Sequence, residues 1–245
     1  MLVKAILMAG GAGKRLRPLT ATINKHLIKI ENKPMLFYSL NTLIKLGIKD
    51  ILIICNTNDI SAFKRVIKKE ITDRKINIIF KTQKNLGGGI AEGLNIGKSF
   101  AKNSDKLVLM LGDNFFSKNI TLIKKKIFLK TNKSTLVLKK VHYKAAKNFG
   151  IAVIKNKKIE KIIEKPKKFI SNMAITGIYI YNSHTLKFAK NLMYSKRKEL
   201  EISAFNQILL KKDLINQIIL PKKVKWVDMG TFENLKKVEN LVKKN

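Results

Sequence analysis

Residues 8–20 read MAGGAGKRLRPLT: Gly10, Gly11 and Gly13 stand close together, followed at once by Lys14, Arg15 and Arg17. Glycines let backbone amides approach a ligand closely, and guanidinium forks grip phosphate oxygens in pairs. Phosphate is therefore the first ligand to test. A Walker A loop needs Gly, four residues, then Gly-Lys-Ser/Thr, but Gly13-Lys14 is followed by Arg15, and the residue five before Gly13 is Met8. The dinucleotide fingerprint needs glycine at the first, third and sixth places, and counting from Gly11 the sixth is Leu16. A tight strand-to-helix turn with solvated charges would use the same residues, so the loop alone leaves both readings open. Elsewhere, Asp113 in LGDN and Asp228 in VDMG follow apolar runs, and Glu164-Lys165 precedes Pro166. A turn aspartate and a surface ion pair are the plain alternatives for these. His142 and His184 show no metal-binding spacing.

The elements that would position these groups follow a regular alternation. Residues 3–9 (VKAILMA), 50–56 (DILIICN), 75–82 (KINIIFKT) and 106–114 (KLVLMLGDN) read as strands. Between them, residues 34–47 read as a helix stopped by Gly47, residues 61–70 as a helix capped by Ser61, and residues 89–100 as a third helix. Strands separated by helices predict an α/β fold: a Rossmann-like, mostly parallel central sheet flanked by helices. Ligands of such sheets bind beyond the carboxyl ends of the strands. The glycine loop, Gln83 and Asp113 all fall at such ends. After residue 118 the pattern changes: residues 134–141, 150–156, 158–166 and 173–182 read as strands with turns, forming an inserted mixed-strand part. Helical stretches at 184–193 and 201–215 follow, then a strand, a turn at Asp228 and a last amphipathic helix. The expectation is a single domain over residues 1–245, with halves at about 1–118 and 119–245.

Composition bounds the partners. Lys plus Arg number 51 against 16 Asp plus Glu, a formal charge of +35, which usually suggests nucleic acid or an anionic surface. Yet arginine occurs only at positions 15, 17, 65, 74 and 197, while lysines run evenly from Lys4 to Lys244. No aromatics interleave with the basic runs as a stacking platform requires, so no specific nucleic-acid partner is expected. No apolar stretch approaches a membrane span, and residues 1–9 read as a first strand rather than a signal segment. The single cysteine, Cys55, sits in an apolar run and offers no disulfide framework. A cytoplasmic protein is expected, and a homo-oligomer is compatible with the sequence.

Taken together, the landmarks resemble the sugar-phosphate nucleotidyltransferases, most closely the glucose-1-phosphate thymidylyltransferases. The resemblance covers nearly the whole chain in order: MAGGAGKRLRPLT, NKHLIKIENKPMLFYSL, GGIAEGLNIGKSF, LVLMLGDNFF, NFGIAVI, IIEKP, AITGIYIYN, KELEIS and WVDMGT. It implies that a sugar 1-phosphate oxygen attacks the α-phosphorus of a nucleoside triphosphate (dTTP with glucose 1-phosphate foremost), releasing pyrophosphate and an NDP-sugar. By resemblance, Met8, Ala9, Gly10, Gly11 and Gly13 lie along the nucleotide. Arg15 holds the leaving pyrophosphate and Lys25 steadies the α-phosphate. Gln83 reads the base, with Gly88 and Gly89 near it, and Asp113 and Asp228 bind Mg²⁺. Lys165 binds the sugar phosphate, Glu164 accepts from sugar hydroxyls, and Gly150, Ile175 and Gly177 line the sugar pocket. UTP, CTP or GTP, another sugar, and a catalytically silent nucleotide-binding regulator remain alternatives.

The chain departs from the family pattern in places. His26 stands where close relatives usually carry Gln, and Met229 where Thr is common. Against the family pattern the loop after Gln83 reads as one residue longer than usual, and the resemblance leads to the expectation of no counterpart to the longer C-terminal region of the tetrameric members. Their assembly and allosteric site are therefore not carried over.

Overall fold

The computed structural model describes residues 1–83, 88–195 and 198–244. In chain order the elements begin with β1 (Val3–Met8), β2 (Lys29–Ile30), β3 (Lys33–Pro34), α1 (Met35–Lys45) and β4 (Asp50–Cys55). They continue with α2 (Ile60–Glu70), β5 (Asn77–Thr82), α3 (Glu92–Ile96), α4 (Lys98–Ala101), β6 (Lys106–Leu111) and β7 (Asn114–Phe116). Next come α5 (Lys124–Ile127), β8 (Ser134–Lys140), β9 (Gly150–Lys155), β10 (Lys158–Glu164) and β11 (Met173–Asn182). The last are α6 (Ile202–Lys211), β12 (Ile215–Ile219), β13 (Trp226–Asp228) and α7 (Phe232–Lys243). The class is α/β, a mostly parallel sheet flanked by helices, as the alternation predicts. Among the described residues no helix is long and apolar enough to cross a membrane.

Contacts divide the chain into two compact units. The glycine-loop unit comprises Lys4–Gly87, Met110–Lys124 and Lys223–Asn245. Its ladder is parallel, with β1 beside β4 (Leu7 opposite Ile53) and β4 beside β5 (Ile53 opposite Phe80). Ile51 through Cys55 are fully buried, the continuous apolar run expected of a parallel strand covered on both faces. Helix α1 buries Met35, Leu36, Ser39, Leu40, Thr42 and Leu43, a spacing that lines one helical face. Leu16, Ile28, Ile30, Met35, Phe115, Val227, Met229, Leu235 and Val238 form one buried cluster. Leu16 thus nails the glycine loop to the core, and Val227 and Met229 do the same for the segment carrying Asp228.

The mixed-sheet unit comprises Met1–Val3, Gly88–Leu109 and Lys125–Lys222. Strand β9 pairs antiparallel with β10 and with the start of β11; β11 runs antiparallel to β8, and β8 parallel to β12. Helix α6 packs on β10 and β12, burying Ile202, Phe205 and Leu209.

Several local expectations change in the structure. Ser61 is not a cap: α2 begins at Ile60, and Asp59 occupies the capping position without a side-chain bond to the helix. The stretch 89–100 forms two short helices broken at Gly97, where glycine's conformational freedom disfavours continuation. Residues 183–191 form 3₁₀ rather than α turns, and the helix expected over 201–215 ends at Lys211, since Ile215 already pairs with Ser134 in β12.

Gly47 ends α1 as expected. Its φ is +90°, its amide donates to Ile44 O at 2.8 Å, and the Leu46 amide donates to Thr42 O at 3.0 Å. A side chain here is strained, so Gly47→Ala is expected to lower stability by about 1 kcal/mol. A fall in the urea midpoint with an unchanged slope would register this.

Candidate active site

Strand β1 runs out at Met8 into a loop shaped by glycine. Gly11 and Gly13 have φ of +104° and +60°, which only glycine adopts without penalty. A Cβ on Gly13 would stand 2.9 Å from Thr20 Cγ2 and 3.2 Å from Lys25 Cβ, and one on Gly10 would stand 2.9 Å from Gln83 Oε1. The loop is therefore pressed between the Lys25 turn and the Gln83 side chain. Gln83 follows β5, its amide donating to Cys55 O at 3.0 Å. Leu16 is buried while Lys14, Arg15 and Arg17 stay exposed. The anchor faces inward and the cations remain free to meet a ligand.

Lys25 lies on the turn Lys25–Leu27, capped by Asn24, whose side chain accepts from the His26 amide at 2.9 Å. Its ammonium contacts Asp113 Oδ2 at 2.5 Å, with the two side chains 17% and 13% exposed. Asp113 is held from several directions. Asn114 Nδ2 donates to its Oδ1 at 3.0 Å, and Trp226 Nε1 donates to Asn114 Oδ1 at 2.6 Å. The Ser39 hydroxyl lies 2.9 Å from both Gly112 O and Asn114 O, the carbonyls on either side of the aspartate. Gly112 itself donates to Met8 O at 2.8 Å; a Cβ there would meet that oxygen at 2.7 Å and the His26 ring at 2.9 Å.

Pairing of β13 with β7 sets Asp228 opposite Asn114, and the Met229 amide donates to Asp113 O at 2.7 Å. The two aspartates are thus neighbours, as their mutual electrostatics record. Burial pushes the Asp228 carboxyl up, and the charge of Asp113 pushes it further, against the Gly230 amide, Arg15 and Lys25. For Asp113, burial also favours the neutral acid, but Lys25, the field of His26 and the bonds from Lys25 and Asn114 win, holding it well below the carboxylate range. A Cβ on Gly230 would strike both Arg15 Nη2 and Asp228 Oδ1 at 2.7 Å. Arg15 therefore lies against Gly230 beside Asp228.

The remaining candidates belong to the mixed-sheet unit. Gly150 opens β9 opposite Glu164 at the end of β10, and a Cβ on Gly150 would lie 3.2 Å from Glu164 Oε2 and 3.7 Å from Ile175 Cδ1. Lys165 takes φ +43°, its amide donating to Phe149 O at 3.1 Å and its ammonium 3.8 Å from Glu164 Oε1. Strain of this kind costs on the order of 1–3 kcal/mol and gathers at functional positions. The register of β11 against β8 shifts between Ile175 and Tyr179, placing Gly177 in an irregular stretch of the strand. Bulges of this sort re-aim side chains. Gly88 and Gly89 also lie in this unit, against Leu200: its amide donates to Gly88 O at 2.9 Å, and a Cβ on Gly89 would meet its carbonyl oxygen at 2.4 Å. Residues 84–87 of that loop lie outside the described residues.

The family model described as nucleotidyl transferase matches residues 4–245. The chain belongs to the nucleotidyl transferase family. It is 36% identical over 242 residues to a glucose-1-phosphate thymidylyltransferase of Neisseria meningitidis serogroup A, covering 98% of this chain and 82% of that protein. A Mycolicibacterium smegmatis protein of the same name is 32% identical with the same coverage. Among solved structures, a proposed glucose-1-phosphate thymidylyltransferase from Bacillus anthracis, in complex with a sucrose, superposes with a TM-score of 0.86 at 32% identity, covering 99% and 96% of the two chains. A UDP-glucose pyrophosphorylase complexed with UDP-glucose shares the fold, with a TM-score of 0.83 at 20% identity over 100% and 99% of the chains.

Against this family background, the structure brings Gly10, Gly13, Arg15, Lys25, Gln83, Asp113 and Asp228 together in one unit, and Gly150, Glu164, Lys165 and Ile175 in the other. Among the described residues no group of three or more His, Cys, Asp or Glu is gathered for a metal. The Asp113–Asp228 pair nonetheless fits Mg²⁺, which takes only one or two carboxylates and completes its shell with water and phosphate oxygens. The unfavourable field between the two acids is what a divalent ion would relieve. Sequence reasoning missed Ser39, Asn24 and Gly230. Each acts through a tertiary partner, and only Gly230, beside Asp228, carried a local signal.

His26 is fully enclosed, its imidazole pulled down to about 3 by burial and by Lys25, against the field of Asp113 and a hydrogen bond to the Ala9 backbone. The unfolded chain binds a proton near pH 6.5 that the native state refuses until about pH 3. Stability contributed by this site is complete above pH 6.5 and is lost as pH falls toward 3. The thermal midpoint of the protein is expected to drop more between pH 7 and 4 than that of His26→Gln, by several degrees. Parallel curves for the two would refute the assignment.

Proposed function

We propose that the protein joins dTTP to glucose 1-phosphate, forming dTDP-glucose and pyrophosphate. The observation that carries this reading is the Lys25 ammonium seated on Asp113 at 2.5 Å, beside Asp228 and Arg15 and against the glycine loop. The names of the relatives support the choice of substrates. In the reaction a sugar-phosphate oxygen forms a bond to the α-phosphorus as the bond from that phosphorus to the bridging oxygen of the leaving pyrophosphate breaks. Several negative charges must converge, so catalysis is positioning plus charge neutralisation.

The amides of residues 8–13 would run along the nucleotide, with Gln83 meeting the base. In the mixed-sheet unit, Gly88 and Gly89, packed on Leu200, would offer backbone to the nucleotide. Arg15, exposed and resting on Gly230, would take the pyrophosphate charge. Lys25 would neutralise the oxygens of the α-phosphate. Asp113 and Asp228 would hold Mg²⁺, which supplies charge neutralisation on the triphosphate when bound. In the mixed-sheet unit, Lys165 would bind the sugar phosphate and Glu164 would accept from sugar hydroxyls. Gly150, Ile175 and Gly177 would shape the wall.

Pyrophosphate release with each of dTTP, UTP, CTP and GTP against a panel of sugar 1-phosphates tests the reading. dTTP with glucose 1-phosphate is expected to give the highest kcat/KM, and release that needs no sugar phosphate would contradict it. Asp113→Asn is expected to lose at least a hundredfold in turnover while staying folded; full activity of that variant, or of the unaltered protein in EDTA, would remove the metal assignment. Lys165→Ala is expected to raise KM for the sugar phosphate with triphosphate binding intact, and Lys25→Ala to depress kcat. Calorimetry with each ligand separates the two.

A further inference from the structure

Asp59 sits where a helix would normally use it. It holds the capping position of α2, yet its side chain makes no bond to that helix, forgoing a contact worth about 1 kcal/mol. Its carboxylate turns instead to two amides. Asn24 Nδ2 donates to Asp59 Oδ2 at 2.6 Å, and Asn56 Nδ2 donates to the same oxygen at 2.8 Å. Asn24 is itself buried and fully engaged. Besides Asp59, its Nδ2 reaches Ala9 O at 3.3 Å, while its Oδ1 lies 2.9 Å from both the His26 amide nitrogen and His26 Nδ1. With Nδ2 committed as donor, Oδ1 must accept, so the neutral imidazole carries its proton on Nδ1. The residue between Asn24 and His26 is Lys25. Asn56, on the other arm, stands by the loop: its Oδ1 would be 3.7 Å from a Cβ on Gly10, the position also faced by Gln83 Oε1.

We infer that Asp59 is a positioning residue for nucleotidyl transfer, fixing the Lys25 turn through Asn24 and the Gly10–Gln83 side of the loop through Asn56. Charge-assisted bonds to a carboxylate are about twice as strong as neutral ones, and here one oxygen gathers both sides of the loop. Losing it frees the Asn24 amide to rotate, which releases its acceptor from the His26 amide and ring and loosens the turn that aims Lys25 at Asp113. Displacement of a catalytic group by about 1 Å can cost on the order of a hundredfold in rate. The inference rests on Lys25 acting in the reaction proposed above.

The test compares the unaltered protein with Asp59→Ala, Asp59→Asn, Asn24→Ser, the Asp59→Ala/Asn24→Ser double variant and Lys25→Ala. Steady-state pyrophosphate release with dTTP and glucose 1-phosphate is one readout. Acylation of Lys25 by acetic anhydride, read by peptide mass spectrometry without substrates, is the second. Asp59→Ala is expected to lose about ten- to a hundredfold in kcat with KM for glucose 1-phosphate unchanged, and to label Lys25 faster. Asp59→Asn keeps an acceptor and is expected to fall between, which also guards against a misfolded alanine variant. Serine at 24 can still cap the turn but cannot reach Asp59, so Asn24→Ser should resemble Asp59→Ala, and the double variant should be no worse than either. Unchanged kcat in Asp59→Ala while Lys25→Ala is inactive would overturn the inference alone. Additive losses in the double variant, with KM for glucose 1-phosphate rising in step, would reduce Asp59 to a structural part and overturn it equally. Full turnover of Lys25→Ala would instead remove the catalytic reading of Lys25; Lys25 labelling unchanged by Asp59→Ala would overturn the inference in that case too.

Discussion

The ion pair between Lys25 and Asp113 is the constraint around which the glycine-loop unit is built. Both groups are largely withdrawn from water, and withdrawal of an unpaired charge costs several kcal/mol. Each is tolerable only because the other is there. The rest of the arrangement keeps them at contact: Ser39 brackets the aspartate backbone, Asn114 and Trp226 orient its other oxygen, and Asn24 fixes the turn that carries the lysine. The buried imidazole of His26 packs beside Gly112, and burial together with Lys25 keeps it neutral.

This pair also explains why an acid-poor chain can run a reaction among polyanions. The proposed reaction needs cations against phosphate: in the glycine-loop unit Arg15 against Gly230 and Lys25 on Asp113 are proposed for this, and in the mixed-sheet unit Lys165, at a strained turn beside Glu164. Most of the +35 charge is carried by lysines spread over the chain, whose fields decay within about 8 Å at physiological salt. Local geometry, rather than net charge, is what distinguishes the three.

Much of this was legible in the sequence, and the limits have physical reasons. Alternation of apolar runs with helical periods gave the parallel ladder, and the rule that ligands gather beyond the carboxyl ends of strands placed Gly10, Gln83 and Asp113 together. The glycine loop by itself could not be told from a plain turn; the ordered resemblance across the chain pointed to the family and put forward Lys25, Lys165 and the aspartates as candidates. What stayed hidden depends on partners distant in the chain. Ser39 lies on an ordinary helical face until β7 is folded against it. Asp59 reads as the residue before a helix, so the cap was assigned to Ser61; the folded chain diverts the Asp59 carboxylate to Asn24, thirty-five residues away. The positive φ of Lys165 has no signal in its residue type, since lysine does not favour that region.

A double-mutant cycle on the ion pair, read by urea denaturation without ligands, tests the central claim most directly. If Lys25 and Asp113 hold each other in place, Lys25→Met alone leaves a buried carboxylate uncompensated and loses about 3–5 kcal/mol, whereas Lys25→Met/Asp113→Asn recovers most of that stability. Losses that simply add across the two substitutions would show that the pair does not carry the site.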